Sequence, residues 1–148
     1  FFFFFDKLEH IIYIEGGVDM RFSVRLFNEA ISGIRELKSY YEKNNPTDEL
    51  KVTNGATIGL ALRELKQQSP LEKYDWESII FGNQFLNKNQ KAEKSDIKTN
   101  LTLADDVVDD INKLKDILPR YTKTNYVTTS YVIRMIVRAT LKKNNFIK

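Results

Sequence analysis

Two short stretches carry polar side chains at every second position: Arg21, Ser23 and Arg25, then Lys98, Asn100 and Thr102. A spacing of two places each triplet on one face of a strand. Phe22, Val24 and Leu26 take the opposite face in the first stretch, and Ile97, Thr99, Leu101 and Leu103 in the second. Guanidinium, ammonium, amide and hydroxyl groups recognise a partner through hydrogen bonds and charge; they form no nucleophile–base couple. The rest of the chain adds little reactive chemistry. It has no Cys, which excludes disulfides, Cys-bearing zinc sites and thiol nucleophiles. His10 is its single His, which excludes multi-His metal sites, and it reads as a surface residue. Asp105, Asp106, Asp109 and Asp110 cluster, but on the first turns of a helix they stabilise its dipole more simply than they hold a metal. No catalytic residue, metal or cofactor is assigned, and binding is expected in place of catalysis.

The elements that must position these side chains come as a repeat. Leu26, Ile34 and Leu37 match Leu103, Ile111 and Leu114 at a constant spacing of 77 residues, and Ile58 matches Ile133 at 75. Each copy reads strand, helix, turn, helix. The strands cover residues 20–26 and 97–103. The first helices follow at once, with Phe27, Ala30, Ile31, Ile34, Leu37 and Tyr41, and with Ala104, Val107, Val108, Ile111, Leu114 and Leu118, at helical spacing. Asn28 and Asp105 are expected to cap them; Pro46 lies beyond the first and Pro119 stops the second. The second helices include residues 56–65 and 131–141, and the latter is apolar nearly all round, the mark of a buried helix. One copy of about 45 residues has a lone strand and too little core to stand alone. Two copies solve both problems by pairing their strands antiparallel and interlocking their apolar helices.

Between the copies, Ser69-Pro70-Leu71-Glu72 has capping-box form with Pro at the first helical position. It predicts a short helix over about 70–81, ended by Gly82. The Trp76 cluster reads as a clamp on the core. After Phe85 and Leu86 the chain turns polar and Lys-rich through Asp96, as in a flexible tether. The first nineteen residues read as a leader or appended extension. Glu15-Gly16-Gly17 can be encoded with a ribosome-binding sequence just ahead of Met20, so Met20 is expected to be the native start, and no function is placed before it. The division is therefore 1–19 extension, 20–66 first repeat, 67–96 linker with a short helix, 97–148 second repeat. Lys plus Arg is 23 and Asp plus Glu 20, a net +3, mild enough to permit a nucleic-acid partner without demanding one. No apolar run approaches the roughly 20 residues of a membrane helix, and a cytoplasmic location is expected.

Strand, helix, turn and apolar helix at this spacing resemble the ribbon-helix-helix family of the Arc and MetJ type. Leu103-Ala-Asp-Asp-Val-Val-Asp-Asp-Ile111 resembles the family's Leu-Pro-Asp-Glu-Leu start to its first helix. Ser130-Tyr-Val-Ile133-Arg134-Met-Ile-Val137 resembles its Ser-Glu-Leu-Ile-Arg second helix. The resemblance covers residues 20–66 and 97–143. Gly55 and Gly59 depart from it, standing where the family has Ser and Arg, and weaken that helix.

The resemblance implies a mostly α fold with a two-stranded antiparallel β-ribbon, two repeats in one chain forming a pseudo-twofold module. It implies sequence-specific binding of double-stranded DNA with the ribbon in the major groove. Arg21, Ser23, Arg25, Lys98, Asn100 and Thr102 would then contact bases: Arg can be bidentate to guanine, Asn to adenine, and Ser or Thr can donate or accept. Thr53, Asn54 and Gly55, and Thr128, Thr129 and Ser130, open the second helices and would contact phosphates, drawn by the positive end of the helix dipole. The two unlike ribbon faces imply an asymmetric DNA site. Tandem versions of the fold resemble accessory proteins of conjugative relaxosomes, which bind near a plasmid origin of transfer and assist a relaxase. Further copies on adjacent sites are possible partners. The rival expectations are a plasmid transcriptional repressor or partition (centromere-binding) protein of the same fold and, more distantly, a protein-interaction module such as an antitoxin. The pairing of the repeats, within one chain or across two, stays open at this point, since a linker of about thirty residues permits either.

Overall fold

The computed structural model describes residues 10–14, 17–44, 52–82 and 93–146. Pro46 and the part of the Lys-rich stretch up to residue 92 lie outside the described residues. The chain is mostly helical, with one antiparallel sheet. Strands β1 (His10–Ile14) and β2 (Gly17–Val24) are followed by helices α1 (Asn28–Lys43) and α2 (Asn54–Gln68). A 3₁₀ turn (Leu71–Lys73) and the short α3 (Trp76–Phe81) come next. Strand β3 (Thr99–Ala104) then leads into α4 (Asp105–Ile117), α5 (Pro119–Thr122) and α6 (Thr129–Lys143).

The strands β2 and β3 pair within the chain. Met20 faces Leu103, Arg21 faces Thr102, Phe22 faces Leu101 and Ser23 faces Asn100. Alternation then sorts the side chains. Met20, Leu101 and Leu103 are buried, Phe22 and Val24 half-buried, while Arg21, Ser23, Asn100 and Thr102 are exposed. Beneath the sheet, α6 is the central helix and packs against α1, α2, α3 and α4. Its Val132, Ile133, Met135, Ile136 and Val137 meet Leu26, Ile34, Leu37, Ile58, Leu62, Ile111 and Leu114 in one continuous core. The packing joins elements far apart in the chain: α2 lies against β3, α4 against β2, and α1 against α6.

Several expectations need correction. The sheet has three strands in the order β1-β2-β3, so the ribbon is not two-stranded. Ile14 pairs with Gly17, leaving two residues between the strands, and β1 runs antiparallel along the other edge of β2. Ile11-Ile12-Tyr13-Ile14 is a strand-forming run, the following Gly-Gly is a hairpin signal, and an unpaired edge on β2 favours the pairing. Both ribbon strands are displaced from the expected 20–26 and 97–103: Arg25 and Leu26 follow β2, and Ile97 precedes β3 in a bend, 76% exposed where an inward position was expected.

Asn28 and Asp105 are first helical residues and do not cap their helices. Phe27 and Ala104 hold the extended cap positions without a side-chain bond, since neither side chain has an atom that accepts one. The Asn28 amide is met by the Glu93 carbonyl at 2.8 Å, and Asp105 accepts from the Asp106 amide at 2.8 Å. The helix expected over 70–81 is broken in two. Ser69 ends α2, and Asp75 caps α3 by accepting from Ser78 N. The Tyr74 hydroxyl donates to Leu65 O and the Trp76 indole to Leu71 O, which turn the chain between the pieces and bury Trp76 completely. Pro119 stands at the first position of α5, just past the end of α4.

Candidate nucleic-acid interface

The outer face of β2 and β3 brings together four of the six side chains expected there. Arg21 lies across from Thr102, and Ser23 from Asn100. Ser23 and Asn100 are also 77 positions apart, the spacing that separates Leu26 from Leu103. Of the six β2–β3 pairs it is the one with that separation, next to the Val24–Thr99 end of the ladder. Lys98 is exposed just ahead of β3. Arg25 lies beyond β2, half-exposed, and its guanidinium is engaged: Nε donates to Ser95 O at 3.0 Å and Nη2 lies 3.6 Å from an Asp96 carboxylate oxygen.

The starts of the two second helices abut this ribbon. Thr53 Oγ1 accepts from Ala56 N at 3.1 Å, and Thr128 Oγ1 accepts from Tyr131 N at 3.2 Å. Both threonines cap their helices and remain exposed, so the hydroxyl hydrogen is still available to donate. Asn54 and Thr129 are half-buried, while Gly55 and Ser130 are buried. Ser130 Oγ donates to the Arg25 carbonyl at 2.8 Å. At Gly55 the strand comes closer still: a Cβ there would sit 2.1 Å from the Thr102 carbonyl oxygen. Thr102 follows Arg25 by 77 positions and Ser130 follows Gly55 by 75, so the two contacts occupy corresponding places. A residue without a side chain fits at position 55 because the backbone of β3 fills that space. At each start, the first residue of the triplet faces solvent and the third locks the helix to the sheet.

A charged cluster that sequence reasoning missed fixes the deeper geometry. Arg134 and Arg138, on the apolar helix α6, are buried and converge on Glu29 of α1. Arg134 Nε donates to Glu29 Oε1 at 2.7 Å and Arg138 Nη2 to the same oxygen at 2.8 Å; Arg138 Nε donates to Oε2. Arg138 Nη1 reaches the Ile79 and Ile80 carbonyls at 3.0 and 2.9 Å, tying the end of α3 to α6. Arg134 also lies over the Phe27 ring, 4.8 Å from its centroid. The signal was present: two arginines four apart on an otherwise apolar helix must find a carboxylate or carbonyls when buried. The corresponding pair, Arg63 with Asp106, is 3.9 Å apart and exposed on both sides. Asp110 pairs with Lys66 at 3.0 Å, so two of the four clustered carboxylates serve α2–α4 packing.

The tyrosines near this framework stay neutral. Burial, then the neighbouring Glu64, raises the pKa of Tyr41, whose hydroxyl donates to Glu64 at 3.0 Å. Burial also raises that of Tyr131, against the pull of Arg134 and Arg138. Among the described residues no group of three or more His, Cys, Asp or Glu is placed to hold a metal, and no helix is long and apolar enough to cross a membrane. Comparison with protein-family models, curated proteins and solved structures returned no match.

Proposed function

We propose that the chain is a sequence-specific double-stranded DNA-binding protein, a tandem ribbon-helix-helix module whose two repeats are related by a pseudo-twofold axis through the Ser23–Asn100 pair. One observation carries this reading. The β2–β3 pairing exposes Arg21, Ser23, Asn100 and Thr102 on a single face, the start of α2 abuts β3 at the Thr102 carbonyl, and the start of α6 abuts the chain just after β2 at the Arg25 carbonyl. A face rich in side-chain donors, flanked by two helix N-termini, suits base edges in the groove and phosphates on either side.

Strand β1 bears on how the face is used. Three strands span about 10 Å between their outer axes, against a major groove about 12 Å wide. In this reading β2 and β3 enter the groove, and β1 sets how deeply they do so.

The ends of the ribbon differ. Arg21 and Thr102 stand on one side of the Ser23–Asn100 pair, Arg25 and Lys98 on the other. Such a face suits DNA in which direction matters, and the role proposed is that of a relaxosome accessory protein near a plasmid origin of transfer, with a relaxase or further copies of itself as partners. Selection from a random DNA library followed by sequencing tests the reading: an enriched short motif without twofold symmetry is expected. Arg21→Ala should then weaken binding to that site by about 1–3 kcal/mol and relax preference at one base pair. Full affinity and specificity in that variant would remove Arg21 from the reading face. A motif mapping to promoters would point to the repressor role, and one mapping to a centromere-like array to partition.

A further inference from the structure

The segment before β3 has a built shape. The Asn28 amide donates to Glu93 O and the Ser95 amide to Leu26 O, both at 2.8 Å, and Phe27 forms a bridge with Lys94. Residues 93–95 thus extend the ribbon alongside Leu26–Asn28. Between this extension and β3 the register slips, because Val24 pairs with Thr99 while Phe27 pairs with Lys94. The slack is taken up in a bend at Asp96 and Ile97. Ser95 Oγ closes the bend by accepting from Ile97 N at 3.1 Å. Ile97 is held out with 76% of its surface exposed, the most exposed large apolar residue among those described. It shares an open cleft with Arg25, whose guanidinium is set by Ser95 and Asp96, and Lys98 adjoins it in sequence. The repeat has nothing like this at the other end of the ribbon: the corresponding residue is Met20, inside β2 and 7% exposed.

A lone exposed apolar side chain on a protein surface needs no explanation. This one shares its cleft with Arg25 and Lys94 and with the carboxylates of Glu93 and Asp96, at the end of the proposed reading face, on a bend anchored from both sides. We propose that the Ser95–Lys98 bend is an additional base-reading element, in which Ile97 packs on the C5-methyl of a thymine at the edge of the site while Arg25, oriented by Ser95 and Asp96, sits beside it. This rests on the ribbon reading DNA, and it lengthens the site at one end only. Thymine is the one base that offers a methyl group in the major groove.

The test uses the full chain and the duplex enriched by selection. Each thymine flanking the core of the site is replaced by deoxyuridine, which removes the methyl and nothing else. One replacement, at one end of the site, should weaken binding by about threefold to fivefold, as expected for one buried methyl group. Ile97→Ala should bind the thymine duplex with a similar loss, show no further loss with deoxyuridine, and keep its preference at the central base pairs. Equal deoxyuridine losses in both proteins, or a selected site with no preferred thymine at either edge, would overturn the proposal and leave the ribbon reading intact. A library that yields no motif removes both.

Discussion

The two junctions where a second helix meets the opposite strand and the opposite first helix occupy corresponding places and are built differently. At the α6 junction, Ser130 reaches the Arg25 carbonyl with its hydroxyl, and two buried arginines grip Glu29. At the α2 junction, Gly55 has no side chain and lets β3 come into contact with the helix backbone, while Arg63 and Asp106 face each other at 3.9 Å in solvent. One junction is held by buried polar bonds, the other by close backbone approach. The difference teaches that a single chain is free to specialise the halves of a pairing that identical subunits would have to share. It also follows the insert: Arg138 spends two donors on the Ile79 and Ile80 carbonyls, and α3 packs on α6 and α5.

The comparison can be broken by substitution, starting with the largest expected effect. Glu29→Ala would leave Arg134 and Arg138 buried without their carboxylate and should destabilise the fold by about 3–5 kcal/mol in urea unfolding. Its counterpart Asp106→Ala should cost about 0–1 kcal/mol, because that pair is exposed. Equal losses would mean that the buried cluster is not what holds the α6 junction.

Gly55→Ala comes next. A methyl group 2.1 Å from a strand carbonyl must push β3 away, and about 1–3 kcal/mol of overpacking should outweigh any gain in helix propensity. Gly59→Ala tests the same helix with the opposite sign. Its Cβ would sit 3.4 Å from a Val107 methyl, an ordinary contact, so a gain of about 0.5–1 kcal/mol is expected. Ser130→Ala should have the smallest clear effect at the α6 junction, about 1 kcal/mol for a lost bond to the Arg25 carbonyl. Thermal melts of the three variants, side by side, sharpen the assignment of each junction.

Much of this was legible in the residues. Alternation along 20–26 and 97–103 marked the faces of β2 and β3, and the matched Leu and Ile positions marked helices that pack in corresponding places. Gly55 and Gly59 read as one weakness of one helix, yet only Gly55 is pressed by a backbone; spacing carries no information on how near another strand will pass. The ends of β2 and β3 were displaced because pairing partners, not alternation, end a strand. The run Ile11-Ile12-Tyr13-Ile14 followed by Gly16-Gly17 carries a hairpin signal, but its partner strand β2 is paired by β3 as well, which only the tertiary structure shows.

The sequence alone determined what is periodic: which side chains share a face, where helices follow strands, and which chemistries are absent for want of Cys and His. Those properties are local, since each depends on residue type and spacing along one element. The tertiary structure decided what depends on two distant segments meeting. It settled that β2 pairs with β3 in the same chain, from Asp19–Ala104 to Val24–Thr99, with β1 on the outer edge. It placed Glu29 between two arginines more than a hundred residues away. It turned Ile97 outward, because the slip between the Phe27–Lys94 bridge and the β2–β3 register has to be absorbed somewhere, and the bend before β3 absorbs it.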